Sequence, residues 1–335
     1  MLSETSEKIE AAFANRRVLV TGGLGFLGSN VIRHLVELNA DVTVVDSLSP
    51  KYGGNLFNVC GLEDRIRINI SDVRDEHSLG HLVRGQDFLL NLAGQTSHLD
   101  SMRDPCTDLE INCRAQLFIL EACRRHNPQI RIVFASTRQL YGKPDYLPVD
   151  ERHAARPVDV NGINKLAGEW YHLLYHRVYG IRACALRLTN TYGPCMRVRD
   201  ARQTFLGIWI RSLVEGRPFE VWDGSQRRDY TYADDAVEAF LLAGASEEAY
   251  GHVFNVGGNA ALSLRETADL LVEVNGGGSY DVRPLPEDRL PIEIGDYYTD
   301  DRLIRRALGW APKVPVREGL ARTLAYYRTH LEHYL

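Results

Sequence analysis

The chain has 335 residues, of which 39 are lysine or arginine and 44 are aspartate or glutamate, so its formal net charge is −5. This length fits two folding units or one large α/β domain, and the near-average composition excludes a disordered, collagen-like or fibrous chain. The acidic balance argues against bulk nucleic-acid binding, and no apolar run approaches the roughly 18 residues that span a bilayer. We therefore expect no nucleic-acid partner, no membrane partner and, since the first residues contain no hydrophobic signal core, a cytoplasmic location.

The first half of the chain alternates short β-rich runs with helical patterns. Residues 3–15, with Leu2, Ile9 and Phe13 as apolar positions, predict a helix that packs on the body or on a second subunit. The β-rich runs that follow are 17–21, 41–46, 66–70, 87–92, 130–135 and 181–186. The helical patterns between them lie at 26–39, 76–84, 106–126 and 162–179. Strands separated by helix-length segments predict parallel βαβ units and a doubly wound sheet.

The second half is less regular, is richer in proline and glycine, and closes with an amphipathic helical pattern near 317–333. We interpret it as a smaller α/β lobe that covers the carboxyl ends of the first sheet. The expected division is a helical extension at 1–16, the sheet domain at 17–188 with a return at about 230–260, and the second lobe at 189–335.

Six cysteines, at positions 60, 106, 113, 123, 184 and 195, form no Cys-x-x-Cys pair. Zinc ribbons and thioredoxin-like motifs need such close pairs, so neither is supported and we expect no metal site. Most of the thiols are expected to be small core residues of a protein in a reducing compartment.

The strongest local signal is the glycine-rich run VTGGLGFLGSN at 20–30, which follows a predicted strand and opens a predicted helix. Glycine permits the tight turn and the close approach of backbone to a pyrophosphate, and the helix N-terminus offers free N–H groups. Asp46 ends the next strand about 20 residues on, where an acid can bind a ribose hydroxyl pair and repel a 2′-phosphate. The pattern predicts a Rossmann-type domain that binds NAD rather than NADP, with Asp72 and Val73 beside the adenine.

Several further stretches together resemble the extended short-chain dehydrogenase/reductase family, in particular its NAD-dependent nucleotide-sugar epimerases and dehydratases. These stretches are TGGLGFLG (21–28), DV (72–73), NLAG (91–94), ASTRQLYG (135–142), NGINKLAGE (161–169), RLTNTYGP (187–194), GSQRRDYTYADD (224–235), FNVGG (254–258) and LGWAPKV (308–314). The stretch NLAGQTSHLDSMRDP (91–105) is similar to the CDP-sugar 2-epimerase branch. The resemblance implies that NAD contacts Gly22, Gly25, Phe26, Leu27, Gly28, Asp46, Asp72, Val73, Leu92, Ala93, Gly94 and Lys165.

The resemblance also implies a nucleotide sugar beside NAD and a catalytic set of Ser/Thr, Tyr and Lys. Thr137 matches the residue that hydrogen-bonds the reacting hydroxyl, and Lys165 matches the lysine that holds the nicotinamide ribose and lowers the pKa of the tyrosine. The tyrosine is missing, because the family pattern Tyr-x-x-x-Lys has Asn161 at its first position. An amide cannot accept a proton near neutral pH.

Three interpretations of Asn161 remain open. Another group acts as the base, or the reaction needs no strong base at this point, or the protein is a degenerate enzyme that only binds. We favour an altered proton path, because Thr137, Lys165 and the glycine loop are retained. The candidate bases nearest by motif position are His98, Tyr141 and Cys195, and His98 is preferred because histidine titrates near neutrality.

Arg138 and Gln139 follow Thr137 where family members that eliminate water carry Asp and Glu, so the resemblance disfavours dehydration. The acid usual in decarboxylating members is also absent. Arg138 either binds an anionic group such as a uronate carboxylate, for which its planar fork is suited, or is a surface arginine.

On the substrate side, the resemblance assigns Asn190 to the sugar diphosphate and Arg228 to a phosphate. For the second phosphate arginine both Arg283 and Arg289 fit, and Arg289 is favoured. Trp222 and Asp223 are candidates for the base pocket. Three more arginines, which either extend the positive surface or are solvated loop residues, are Arg197, Arg199 and Arg202.

The function expected from these features is epimerisation of a nucleotide-diphosphate sugar, similar to that of UDP-glucose 4-epimerase, through transient oxidation to a keto-sugar. The alternatives are a dehydratase, decarboxylase or reductase of the same family, or a non-catalytic binder of NAD and nucleotide sugar. Helices 106–126 and 162–179 are apolar on more than one side, and their family equivalents form a dimer interface, so we expect a homodimer.

Overall fold

A computed structural model describes residues 4–49, 52–200, 204–258, 260–287 and 289–335. The strands are β1 Arg17–Thr21, β2 Asp41–Asp46, β3 Ile66–Ile70, β4 Phe88–Asn91, β5 Arg131–Thr137, β6 Arg182–Leu188, β7 Asn190–Tyr192, β8 Phe219–Trp222, β9 Arg227–Tyr232, β10 Val253–Val256, β11 Ala261–Ser263 and β12 Tyr280–Arg283. The helices are α1 Glu4–Phe13, α2 Phe26–Glu37, α3 Glu76–Leu82, α4 His98–Arg103, α5 Pro105–Leu109, α6 Ala115–His126, α7 Val160–Tyr179, α8 Phe205–Val214, α9 Ala233–Gly244, α10 Leu264–Asn275, α11 Arg302–Leu308 and α12 Val316–His330.

Seven parallel strands form the central sheet in the order β10-β6-β5-β4-β1-β2-β3. The inner strands are buried on both faces, as the continuous apolar runs of β1 and β5 require, whereas the edge strand β3 is mostly exposed. One face packs against α1, α2 and α9, and the other against α3, α6 and α7. This arrangement confirms the predicted Rossmann-type α/β fold.

The order in which the chain adds strands to the sheet reverses between β1 and β4, which are parallel, hydrogen-bonded neighbours. The carboxyl ends of these two strands lead into the glycine-rich run and into Leu92–Gly94. In open α/β sheets, ligands bind in the crevice at such a reversal point. The topology therefore places both predicted cofactor segments at the same edge of the sheet.

The second lobe has its own apolar core, built by α8, α10 and α12 with β8 and β9. A three-stranded sheet β11-β9-β7 and a two-stranded sheet β12-β8 complete it. The chain returns to the main sheet through α9 and β10, and β10 pairs with β6. The domain limits drawn from the sequence remain our own division of a chain that crosses between the lobes more than once.

Helix α1 packs on the body of the protein, which is one of the two places the sequence allowed. Phe13 is fully buried, with its ring centroid 4.3 Å from that of Phe88 on β4. Ile9 is also buried, and Leu2, the third apolar position, lies outside the described residues. In the described part of the chain, no helix is both long and apolar enough to cross a lipid bilayer.

The prediction that most thiols are core residues is wrong for half of them. Cys60 and Cys106 are exposed and Cys113 is partly buried, whereas the other three are buried. Cys60 follows a 3₁₀ turn, Cys106 lies in the first turn of α5 and Cys113 lies in a π-helical turn, each at a position that does not face the core. None of the six cysteines, all of which the structure describes, forms a disulfide.

Candidate active site

Two adjoining cavities lie at the carboxyl ends of the sheet strands. The inner cleft, about 290 Å³, is lined by the loops after β1, β2, β3, β4 and β5. The outer cavity, about 580 Å³, is lined mainly by the second lobe. The residues that line both are His98, Arg138, Gln139, Asn190 and Thr204. A ligand in one cavity would therefore touch a ligand in the other at this junction.

The glycine-rich run forms the floor of the inner cleft. Gly22 has a φ of +67°, which favours glycine, and a Cβ atom on Gly28 would lie 2.2 Å from the carbonyl oxygen of Gly22. No side chain caps the first turn of α2, which begins after Gly25. Since Gly25–Gly28 line the cleft, the free N–H groups and the positive end of α2 are available to a phosphate.

Asp46 ends β2 and lines the inner cleft. Its carboxylate accepts hydrogen bonds from the backbone N–H groups of Leu24, at 3.0 Å, and Leu48, at 2.9 Å. Burial raises the pKa of Asp46, although these two N–H donors act in the opposite direction. The acid is thus held rigidly between the glycine loop and the loop after β2, facing the place where a ribose would lie.

The remaining predicted cofactor residues also line the inner cleft. The carboxylate of Asp72 accepts two hydrogen bonds from the guanidinium of Arg74, and this hydrogen bonding lowers the pKa of Asp72. Gly94 is needed for space, since a Cβ atom there would lie 2.8 Å from the Nζ atom of Lys165. All twelve predicted cofactor residues line the cleft, namely Gly22, Gly25, Phe26, Leu27, Gly28, Asp46, Asp72, Val73, Leu92, Ala93, Gly94 and Lys165.

Thr137 and Lys165 meet at the inner cleft from two elements. Thr137 is the last residue of β5, and its Oγ1 atom accepts the backbone N–H of Gln139 at 3.2 Å. Lys165, on α7, is buried and donates from Nζ to the carbonyl oxygen of Ala135 at 3.1 Å. Burial lowers the pKa of Lys165 to about 8. A lysine held in this way is a well-placed donor for polar groups in the cleft.

Asn161 lines the same cleft, but its amide nitrogen is engaged on the protein side. Nδ2 donates to the carbonyl oxygen of Gln95 at 2.8 Å and to Oδ2 of Asp108 at 3.1 Å. Among the described residues, no hydrogen bond reaches its Oδ1 atom. The side chain therefore anchors the start of α7 and cannot remove a proton.

Sequence reasoning missed the polar network to which Asn161 belongs. Asp108 is fully buried and also accepts hydrogen bonds from Asn112, at 3.0 Å, and Asn164, at 2.8 Å. Three amides thus satisfy one buried carboxylate, as burial of a charge requires. The signal that could have found part of it is the helical spacing of Asn161 with Asn164, which puts these two amides on one face of α7.

The structure removes two of the three candidate bases. Tyr141 is fully buried, donates to Oδ1 of Asn255 at 2.7 Å, and has its pKa raised to about 12 by burial. Cys195 lies in the core of the second lobe, 3.5 Å from the hydroxyl of Tyr326. In the part of the chain that the structure describes, neither lines either cavity, because both side chains pack into hydrophobic clusters.

His98, the third candidate, lines both cavities. It is the first residue of α4, a short helix that the sequence patterns did not predict. Its Nδ1 atom lies 2.9 Å from Oδ2 of Asp159, a buried acid that sequence reasoning also missed. A Ser or Asp immediately before a helix is a common cap, so Asp159 was indistinguishable in sequence from an ordinary capping residue.

The outer cavity brings together four of the five predicted substrate residues, namely Arg138, Asn190, Arg228 and Arg289, whereas the fifth, Thr137, lines only the inner cleft. Arg138 donates to Oδ1 of Asn190 at 3.4 Å, and burial together with the nearby Arg228 lowers the pKa of Arg138 to about 10. Arg228 pairs with Glu293 at 3.1 Å. The wall is therefore cationic, and Arg138 contributes a guanidinium that no carboxylate pairs with directly among the described residues.

Trp222 lines the outer cavity beneath the guanidinium of Arg289, which lies 4.4 Å from the ring centroid. Asp223 does not line it and instead accepts a hydrogen bond from Ser225.

Arg197 pairs with Asp200, and Arg199 is exposed. Neither lines the described cavities, and Arg202 lies outside the described residues. Nor do the described residues contain a cluster of His, Cys, Asp and Glu that could hold a metal ion.

The chain is similar to proteins named as epimerases and dehydratases of nucleotide sugars. A dTDP-glucose 4,6-dehydratase from Streptomyces niveus is 30% identical, over 93% of this chain and 93% of its own. A UDP-glucose 4-epimerase from Mycolicibacterium smegmatis is 29% identical, over 93% of this chain and 98% of its own. The crystal structure of UDP-glucose 4-epimerase from Thermotoga maritima with UDP-glucose superposes with a TM-score of 0.85, at 30% identity, covering 94% of this chain and 99% of that one.

Residues 18–257, more than two thirds of the chain, match the model of a single family. The match contains the glycine loop, Asp46, Thr137, Lys165 and two arginines of the outer cavity, Arg138 and Arg228. Fold, site and sequence thus agree, and the chain belongs to the NAD-dependent epimerase/dehydratase family.

Proposed function

We propose that the protein is an NAD-dependent epimerase of a nucleotide-diphosphate sugar, similar in action to UDP-glucose 4-epimerase. The inner cleft holds NAD, and the outer cavity holds the nucleotide sugar with the reacting sugar at the junction. A sugar hydroxyl is oxidised to a ketone, the other face of the ketone is presented, and reduction gives the epimer. NAD bound there would supply the hydride acceptor and donor, so the proposed reaction consumes no NAD overall.

The observation that carries this proposal is the convergence of Thr137 and Lys165 on the inner cleft, where Thr137 directly precedes Arg138 and Gln139 at the junction with the outer cavity. Thr137 presents a hydroxyl for the reacting group, and Lys165 presents a buried N–H donor to the ribose side of the cleft. The glycine loop and α2 supply phosphate donors, and Asp46 supplies a ribose acceptor. Each group has a single role, and together they fit NAD and a sugar hydroxyl.

Arg138, Asn190, Arg228 and Arg289 fit the diphosphate and the sugar of the second ligand. Arginine recognises phosphate and carboxylate by paired N–H donors, and a cationic wall attracts such anions. Arg138 lies at the junction, where it is suited to an anionic or strongly polar substituent on the sugar.

Dehydration is the main alternative, since one close relative is a 4,6-dehydratase. Elimination of water needs an acid and a base beside the reacting carbons. The two positions after Thr137 carry Arg138 and Gln139, and the amide of Gln139 donates to Asp159 at 2.9 Å. Neither side chain can relay a proton at neutral pH, which favours epimerisation.

Incubation with UDP-, GDP-, CDP- and dTDP-sugars tests the proposal. The expected product is an epimer of one sugar with no accumulated NADH, detected by NMR of the sugar and by absorbance. A 4-keto-6-deoxy sugar would assign the chain to the dehydratases instead. Binding of several sugars without any conversion would identify a non-catalytic binder.

The choice of cofactor can be tested at Asp46. Asp46→Asn keeps one acceptor oxygen but removes the negative charge, so the Kd for NAD is expected to rise by about 10- to 100-fold. NADP should bind more tightly than before, because the 2′-phosphate no longer meets a carboxylate. The matched control is Asp41→Asn at the other end of β2, which should leave both Kd values unchanged, as calorimetry can measure. Unchanged NAD and NADP binding in Asp46→Asn would remove Asp46 from the ribose site.

We also propose that the protein is a homodimer through α7. Four apolar side chains on one face of this helix are 39–59% exposed, namely Ile163, Trp170, Leu174 and Val178. Their spacing of seven and four residues places them in one stripe. A stripe of this kind marks an interface more often than a free surface.

We propose the cytoplasm as the location of the protein. The cysteines form no disulfide, which suits that reducing compartment.

Trp170→Glu tests the dimer, because the change buries an unpaired charge in the proposed interface. The mass measured by light scattering should fall from two chains to one. Leu56→Glu, at a position of similar exposure away from α7, should leave the mass unchanged. A wild-type protein of one-chain mass would exclude the homodimer directly.

A further inference from the structure

We propose that His98, held by Asp159, accepts the proton of the reacting sugar hydroxyl in place of the tyrosine that this chain lacks. The proposal rests on the proposed function and assigns the missing proton acceptor to a histidine–aspartate pair. His98 is the catalytic residue, and Asp159 is a positioning residue that acts through it.

His98 has the position and the orientation that a base at the junction needs. Its side chain is 38% exposed and lines both cavities, so it reaches the boundary between the cofactor and the sugar. Its Nδ1 atom faces Oδ2 of Asp159 at 2.9 Å. A carboxylate at this distance favours a proton on Nδ1, and in the neutral ring a proton on Nδ1 leaves Nε2 unprotonated.

Asp159 is itself fixed by two further contacts. Oδ1 accepts the N–H of Gly162 at 2.7 Å, which caps α7, and Oδ2 accepts the side-chain amide of Gln139 at 2.9 Å. Burial alone would raise the pKa of Asp159, but His98, the N–H of Gly162 and the amide of Gln139 together outweigh it and lower the pKa. The acid thus stays ionised and can stabilise the imidazolium that forms when Nε2 takes a proton.

A short chain of contacts ties this pair to Thr137. The side chain of Gln139 bonds to Asp159, and its backbone N–H bonds to Oγ1 of Thr137. The residue that would hydrogen-bond the hydroxyl and the carboxylate that orients the base are therefore attached to the same residue. Gln139 stands where dehydrating family members carry an acid, and its amide instead connects Asp159 to the loop that begins at Thr137.

Two bonds to hydrogen break in the oxidation of the sugar, one at oxygen and one at carbon, and each hydrogen has an acceptor. The O–H bond of the sugar hydroxyl breaks, and its proton forms a bond to Nε2 of His98. NAD bound in the inner cleft would supply the oxidant that takes the hydrogen on the same carbon with its electron pair, so that the carbon–oxygen bond becomes double. In the return direction, the imidazolium gives the proton back to the oxygen as the carbonyl is reduced.

His98→Gln and Asp159→Asn test the pair kinetically. His98→Gln is expected to lower kcat by about 10²- to 10⁴-fold with little change in KM. Asp159→Asn keeps a good helix cap, because asparagine is as favourable as aspartate there, and should also lower kcat with little change in KM. His77→Gln, an exposed histidine on α3, is the matched control and should leave kcat unchanged. Thermal unfolding confirms that each variant is folded.

Nitrogen-15 NMR of the histidine ring gives a readout that does not depend on turnover. In the wild type, neutral His98 should carry its proton on Nδ1, and Asp159→Asn should shift this toward Nε2. Wild-type kcat in His98→Gln, or a proton on Nε2 of wild-type His98, would overturn the inference while leaving the epimerase proposal intact. A wild type that converts no sugar, with the proton on Nδ1, would overturn the proposed function, and the inferred catalytic role with it.

Discussion

Lys165→Met is expected to lower turnover by about 10²- to 10⁴-fold without lowering the melting temperature. The Nζ atom of Lys165 is a buried donor at the inner cleft, and methionine fills similar space without an N–H group. Because burial lowers the pKa of Lys165 to about 8, the folded protein disfavours the ammonium. The charged lysine therefore reduces stability at neutral pH, and methionine removes that cost.

The sign of this effect can be checked by pH. A lysine with a lowered pKa binds its proton less tightly in the folded protein, so this residue's contribution to stability improves as the pH rises from about 8 toward 10.5. Lys165→Met should lack that gain in thermal unfolding. Lys143→Met, at an exposed position, is the control for both rate and stability. Full activity in Lys165→Met would contradict the assignment of the inner cleft as a catalytic site.

Gly28→Ala is the second change with a large expected effect. The added Cβ atom would lie 2.2 Å from the carbonyl oxygen of Gly22 and 2.6 Å from the Cα atom of Gly23, and both are backbone atoms. The loop must shift, which we expect to lower the free energy of unfolding by about 1–3 kcal/mol. A displacement near 1 Å at the phosphate donors should weaken NAD binding by about 10²-fold.

The control for this change is the same substitution where space exists. Gly80 lies in α3, and a Cβ atom there would meet only the flexible ring of His126, at 3.3 Å. Gly80→Ala should therefore be neutral or stabilising by up to about 1 kcal/mol, since alanine is the better helix former. Equal stability and NAD affinity in Gly28→Ala and wild type would contradict the steric account of the loop.

The strands were predictable because parallel strands are buried on both faces and read as continuous apolar runs. The predicted runs at 17–21, 41–46 and 66–70 match β1, β2 and β3 at both ends. The predicted run at 130–135 stops two residues before the end of β5 and so leaves out Thr137. Ends of strands are polar and functional, which is why apolar patterning loses them.

Helical patterning failed where the backbone departs from a regular helix. The single helix predicted at 106–126 is α5, a π-helical turn at Glu110–Arg114, and α6. Asn112 lies in that turn and donates to both Gln95 and Asp108. A π turn inserts one residue per turn and redirects side chains, so a period of 3.6 cannot predict where Asn112 points.

The site residues divide along the same line. Glycines, Asp46 and Lys165 occupy positions where a motif requires one residue type, and the structure places them in the inner cleft. The partner of His98 comes from Asp159, 61 positions along the chain, and only the fold brings the two together. For Asn161, the sequence shows that the tyrosine of the Tyr-x-x-x-Lys pattern is missing. It does not show the hydrogen bonds that Asn161 donates to Gln95 and Asp108.

The most direct test of transient oxidation is NMR of the sugar product formed in D₂O. Hydride taken from the sugar and returned to the same carbon never exchanges with solvent. The account predicts an epimer that carries no deuterium at the inverted carbon and leaves no net NADH. Deuterium at that carbon, or a product that has lost water, would contradict it.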